Sequence, residues 1–224
     1  MNLFNKKETS NELTKLNALV NNWLNSDKRK EILTGKRYFE GFQDILTRER
    51  MVMNETGTLT PVHNLPNNRL VDNHYRKLVE QKTNYALGKP ITIATSDDTY
   101  LAELNKIFDK KMFRQLRLLG EEAINGGIAW LYPYYNTVGE FKVKIFPAEE
   151  IMPIWIDHSH TDLGYAVRVY GDTMIMSDGS LQDITVLEVY SMNGIDRYIK
   201  SGNSIKPHPK EPHLNYLTLG NMEY

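Results

Sequence analysis

Apolar residues recur along the chain at three- and four-residue steps through its first half and at alternate positions through much of its second, so the pattern itself divides the molecule. Over residues 11–24, Leu13, Leu16, Val20, Trp23 and Leu24 fall on one face of a helix, behind Ser10 as a candidate cap. Residues 28–46 repeat the pattern with Ile32, Leu33, Phe39, Phe42, Ile45 and Leu46; Gly35 and Gly41 interrupt it and predict a bend. Residues 48–64 lose the period and gather Asn, Thr, Gly and Pro, which reads as a loop.

The clearest helical repeat covers 69–87, where Val71, Tyr75, Leu78, Val79 and Tyr85 make an inward stripe and Arg69, Arg76, Lys77 and Glu80 face out. Gly88-Lys89-Pro90 stops it, and Gly88 is expected in a left-handed conformation because Pro90 blocks continuation. Ile91-Thr92-Ile93 reads as a short strand. Ser96-Asp97-Asp98 can cap a helix with Leu101, Leu104, Ile107 and Phe108 on its apolar face. A further helix over 111–124 carries Phe113, Leu116, Leu119, Ala123 and Ile124, and ends at Asn125-Gly126-Gly127.

From there the period becomes two. Residues 128–132 and 141–146 flank a turn and predict a hairpin, and strands follow at 151–156, 165–170, 173–176, 184–190 and 195–199. Asp178-Gly179 and Asn193-Gly194 are turn dipeptides between them. Helices first and antiparallel strands second make an α+β chain. Its divisions fall at 1–26 (an N-terminal arm and helix), 27–127 (helical), 128–200 (β-rich) and 201–224 (an irregular tail). The closing residues, 214–224, start an apolar pattern without an element to complete it and read as part of something longer.

Composition narrows the function classes. The 224 residues carry a net charge of −1, so no overall basic balance points to nucleic acid, and there is no cysteine for a disulfide framework or a thiolate metal site. Behind Lys6-Lys7 there is no apolar run, and no stretch approaches the ~20 apolar residues of a membrane helix. The sequence reads as that of a soluble, intracellular protein with no membrane partner.

Candidate chemistry is sparse. His158 and His160 lie two apart with Asp157 and Asp162 beside them, a spacing that could aim both imidazoles at one ion in a metal-dependent hydrolase. A polar loop between strands accounts for the same residues, and no third ligand is fixed by spacing. Glu149-Glu150 after Pro147 reads as a solvated turn rather than an acid–base pair. Trp130, Tyr132, Tyr134 and Tyr135 could stack bases, but without interleaved cations they fit hairpin packing better. A basic group, chiefly Arg29, Arg37, Arg48 and Arg50, is diluted by Glu31, Glu40, Asp44 and Glu49; it suits a solvated face, a subunit contact or a small nucleic-acid-binding module. No catalytic constellation, cofactor site or metal site is predicted.

Two segments, Arg37-Tyr38-Phe39-Glu40-Gly41-Phe42-Gln43-Asp44-Ile45-Leu46 and the stretch from Leu65 to Pro90, resemble portal proteins from siphophages of Gram-positive bacteria. In the first, an aromatic pair, Gly and then Ile carry the likeness, although Gln43 stands where many relatives carry His. The other, more specific, runs from Leu65 to Pro90 and is similar to that family's signature through Asn67, Asn68, Val71, Asp72, Tyr75, Val79, Gln81, Lys82, Tyr85, Gly88 and Pro90. Weaker agreement continues through Gly126 and through Pro147, Glu149 and Pro153. The resemblance implies a non-enzymatic subunit of a twelve-membered ring at one capsid vertex, this part corresponding to the peripheral wing, with stem and clip lying outside it. It further implies double-stranded DNA in the channel, and terminase, capsid, scaffolding and head–tail connector proteins as partners. The location it implies is the virion, after assembly in the host cytoplasm.

Overall fold

A computed structural model describes residues 9–136, 138–175, 179–202 and 204–214. Helix α1 (Thr9–Asn25) is followed without a loop by α2 (Asp27–Phe39), whose first turn is capped by the Ser26 hydroxyl accepting from the Arg29 N–H. The first helix begins at Thr9, so Ser10 lies within it and is not its cap. The second ends at Phe39 rather than continuing to residue 46, because Gly41 at φ 92° turns the chain.

The stretch expected to be a loop at 48–64 contains a small hairpin, β1 (Met51–Met53) with β2 (Leu59–Pro61). Its turn is built by Asn54, whose side-chain oxygen accepts from the N–H groups of Thr56 and Thr58. Then come α3 (His74–Leu87), α4 (Asp98–Ile107) and α5 (Lys110–Gly126), capped in turn by the side chains of Asn73, Asp97 and Asp109. Residues 69–73 are outside α3, and Ile91-Thr92-Ile93 forms no strand.

The stripe expected on α3 is partly wrong. Val79 is buried, but Leu78 is 62% and Tyr85 95% exposed, and the fully buried neighbour of Val79 is Thr83. The helix is turned so that Val79 and Thr83 meet α5, where Gly120 lets the two approach: a Cβ on Gly120 would stand 2.6 Å from Leu87 Cδ1 and 3.4 Å from Thr83 Cγ2. Gly88 has right-handed angles (φ −75°, ψ −14°), contrary to expectation. A glycine is still required there, because a side chain would collide with the carbonyl oxygen of Asn84. The left-handed helix end belongs to α5, at Gly127 with φ 72°.

The second half is antiparallel. Strands β3 (Trp130–Tyr135) and β4 (Phe141–Phe146) form one hairpin. A short 3-10 turn, Ala148–Glu150, leads into β5 (Ile151–Trp155), β6 (Leu163–Ile175), β7 (Leu181–Ser191) and β8 (Gly194–Ser201). The separate strands expected at 165–170 and 173–176 are one continuous β6, paired with β7 from Ala166 to Ile175; Met176 and Asp178 lie outside the described residues. The tail is not wholly irregular: β9 (Ser204–Pro207) and β10 (His213–Leu214) both add to the outer side of β8. The six-stranded sheet runs β10-β8-β7-β6-β5, with β9 beside β8. Pro153 sits in edge strand β5, where a missing N–H costs little.

Both faces of this sheet are covered. On one, Leu16 and Val20 of α1 pack on Met152, Val167, Val169, Leu187 and Val189. On the other, Tyr132 and Phe146 of the β3–β4 hairpin pack on Ile151, Tyr190 and Ile195. Strand alternation assigns those two sets to opposite faces.

Candidate functional site

The residues carrying the resemblance fall into two groups. The first converges where the helices meet the sheet. Asn73 donates through Nδ2 to the carbonyls of Tyr38 and Phe39 (2.9 and 3.0 Å) while its oxygen caps α3, tying the start of α3 to the end of α2. The Tyr38 hydroxyl donates to Asp44 Oδ2 at 2.6 Å, and the Arg37 guanidinium meets Oδ1 of the same carboxylate at 2.7 Å. The Tyr75 hydroxyl donates to Asn125 Oδ1 at 2.7 Å. Beside Asn125, a Cβ on Gly126 would lie 2.9 Å from that of Ala148, so only glycine lets α5 close on the 3-10 turn.

That turn carries Glu149, which is buried rather than solvated as the sequence suggested. Its carboxylate takes the Lys36 ammonium at 2.5 Å, and its backbone carbonyl accepts from Arg29 Nε at 3.1 Å. The hydrogen bond to Glu149 raises the Lys36 pKa, so this amine stays protonated and serves as a counter-ion, not a base. Burial, and then the charge of Glu149, raises the carboxyl of neighbouring Glu122. Pro147 precedes the turn at φ −56°.

The second group faces away. Asn68, Gln81, Lys82, Tyr85 and Pro90 are exposed. Asp72 pairs with Lys77 at 2.8 Å, and Asn67 donates to the Arg48 carbonyl at 3.0 Å; Val71 is half-buried. The basic group divides likewise. Arg29 is held within the helix–sheet junction, Arg37 is paired with Asp44, and Arg48 and Arg50 are exposed near the small hairpin, Arg50 reaching the Pro66 carbonyl at 3.5 Å.

The histidine pair forms no ligand set. Asp157 is occupied by the N–H groups of Asp162 and Thr161, which pull its pKa down to about 2, and His160 stacks on Trp155 with ring centroids 5.4 Å apart. Among the described residues no three His, Cys, Asp or Glu side chains are grouped to hold an ion.

A polar cluster that the sequence reading did not single out lies under the β3–β4 hairpin. Arg168, Glu188 and Arg197 stand directly opposite one another on β6, β7 and β8, a plus–minus–plus row across the sheet. Glu188 is 0% exposed and accepts from the hydroxyls of Tyr170 (3.0 Å) and Tyr190 (2.9 Å). Arg168 also meets Glu150 at 2.8 Å, Arg197 meets Glu211 at 2.9 Å, and the Arg168 guanidinium lies 4.0 Å from the Tyr170 ring centroid. Burial, and then the Glu188 charge, pushes both tyrosine hydroxyls well up, so both remain neutral donors. The signal was present in sequence: a charged residue sits between apolar neighbours in Val167-Arg168-Val169 and in Leu187-Glu188-Val189. Each charge is answered within the chain, which makes the row a fastening between three strands.

Residues 24–219 match the family described as "Phage portal protein, SPP1 Gp6-like". The chain belongs to that family. Among curated proteins, the portal protein of Bacillus phage SPP1 is 26% identical over 199 residues, covering 88% of this chain and 40% of the relative. The portal protein of Clostridium phage phiCD119 is 26% identical over 197 residues, covering 84% and 43%. The chain therefore spans about two fifths of the length of these portal relatives.

Proposed function

We propose that this chain is the wing-like part of a portal ring subunit, one of twelve at a capsid vertex, through which DNA is packaged and ejected. The match over residues 24–219 to a portal family carries this reading. In it, residues 27–127 and 128–200 are the helical and β-rich parts of the wing, residues 1–26 an arm, and residues 201–224 lead toward the stem. Terminase, capsid and scaffolding proteins and head–tail connector proteins are its partners, in the host cytoplasm during assembly and then in the virion. Its role is structural, and the signature residues Tyr75, Gly126 and Glu149 serve it by fixing the helices on one another and on the turn that leads into the sheet, while Tyr38 holds Asp44 at the end of α2.

The histidine loop gives a hydrolase no support, since Asp157 is spent on backbone and His160 on Trp155. The test is electron microscopy of the product of the whole reading frame. Closed twelve-fold rings with an axial channel are expected; a protein that stays monomeric at micromolar concentration overturns the reading. The 224-residue chain by itself is expected to associate weakly, because it carries only part of the ring contact and association costs ~4–15 kcal/mol.

A further inference from the structure

Two exposed faces of this chain carry opposite charge among apolar side chains. The first is the far end of the β6–β7 ribbon. Strand β5 leaves β6 at Arg168 and β8 leaves β7 at Thr185, so residues 172–175 and 181–184 pair only with each other. Register sets Ile175 opposite Leu181 and Thr173 opposite Asp183, and alternation puts these four on one face. All four are exposed, Ile175 at 69% and Leu181 at 72%. Asp183 accepts from the Thr173 hydroxyl at 3.1 Å and meets no cation among the described residues. A two-stranded ribbon is marginal in water without a surface to cover its apolar side.

The second is the outer face of α3. Leu78, Gln81, Lys82 and Tyr85 recur at three- and four-residue steps, which makes them one stripe, and all four are exposed. The other cations of this helix are answered, Arg76 by Glu80 at 2.7 Å and Lys77 by Asp72 at 2.8 Å. Lys82 meets no anion among the described residues.

Each face therefore sets two large apolar side chains around one unpaired charge, negative on the ribbon and positive on the helix. Either face laid on its own copy brings like charges together, whereas the ribbon laid on the helix pairs Asp183 with Lys82. The β1–β2 hairpin has no such fit to α3, because its strands carry no charged residue.

We infer that the end of the β6–β7 ribbon of one copy lies along the outer face of α3 in the next, with Ile175 and Leu181 against Leu78 and Tyr85 and with Asp183 beside Lys82. This rests on the ring reading above and names the surfaces. A closed ring requires one face of a subunit to meet a different face of its neighbour, and these two faces supply such a pair.

Charge exchange tests the contact in the product of the whole reading frame. Lys82→Glu and Asp183→Lys should each raise the concentration needed for ring assembly about fivefold or more, and the two together should restore it. Unfolding midpoints of the free chains should match the parent, since both residues are exposed. Trapping supplies a second readout, because these 224 residues hold no cysteine. Thr173→Cys and Gln81→Cys variants are co-expressed and treated with a short bis-maleimide. The pair should give crosslinked dimers, and the parent and each variant alone none. Rings that form without the mixed crosslink, or a charge exchange that fails to restore assembly, overturn this inference and leave the portal reading standing. A parent protein that forms no ring overturns both. Crosslinking by Thr173→Cys alone means that two ribbons meet each other, and also overturns it.

Discussion

The helical region α2–α5 and the sheet region β3–β10 are built to different standards of closure. In the sheet region both faces are covered, and Val167, Val186, Leu187, Val189 and Ile195 are essentially inaccessible to water. In the helical region only Ile32, Val79 and Met112 join the buried apolar set, α4 buries none of its residues, and large apolar side chains such as Leu70, Leu78 and Tyr85 stand in solvent. The helices are located instead by polar fastenings and close approaches: Asn73 between α2 and α3, Tyr75 on Asn125, Gly120 against α3, and Gly126 against Ala148. A region positioned in this way keeps apolar surface in reserve. In the proposed ring that surface is open to neighbours, and the buried sheet is expected to carry most of the stability of the single chain.

The largest expected effect breaks the sheet side of the comparison. Glu188→Ala leaves Arg168 and Arg197 facing each other without their shared anion, and should cost ~3–5 kcal/mol in chemical denaturation. Leu187→Ala, in the face covered by α1, should cost ~2–5 kcal/mol. Retention of wild-type stability by either variant would show that the sheet is not where this chain is held. Gly126→Val tests the junction: the added side chain meets Ala148 and should cost ~1–3 kcal/mol by overpacking. Leu78→Ala, on the helical side, should stay within about 0.5 kcal/mol of the parent. A loss comparable to that of Leu187→Ala would mean that α3 is packed on the face assigned here to solvent.

A pH series sharpens the same contrast. The Tyr170 and Tyr190 hydroxyls are raised above the ordinary 10.0 by burial and by Glu188. Between that ordinary value and the raised one, the unfolded chain releases protons that the folded chain keeps, so stability falls as pH climbs above about 10. Tyr190→Phe should flatten this alkaline loss while leaving its onset at Tyr170 visible. An unchanged alkaline slope in Tyr190→Phe would mean that the hydroxyl is not buried against Glu188.

How far the sequence could be read follows the same division. In the sheet region alternation located β3 to β8, because burial on a sheet face enforces a period of two; only the break expected within β6 was imaginary. The row Arg168–Glu188–Arg197 escaped notice because each charge was met singly, and its meaning appears only when register lays the three side by side. In the helical region periodicity located α3 and α5 but chose the wrong members of the α3 stripe. Leu78 and Tyr85 are more apolar than Thr83, yet a small threonine facing Gly120 permits the closer helix contact. The β1–β2 hairpin gave no periodic signal, since neither of its faces is buried within the chain. Glu149 was misjudged for a different reason: its partner Lys36 lies 113 positions away and no local pattern announces it.

Hydrogen exchange followed by mass spectrometry, on the 224-residue chain and on the assembled ring, tests the central claim most directly. Slow exchange of β6, β7 and β8 is expected in both states, with α3 and α4 exchanging faster in the free chain and gaining protection on assembly. Helices α3 and α4 that exchange equally fast in the ring, or a sheet that acquires its protection only there, would contradict this division.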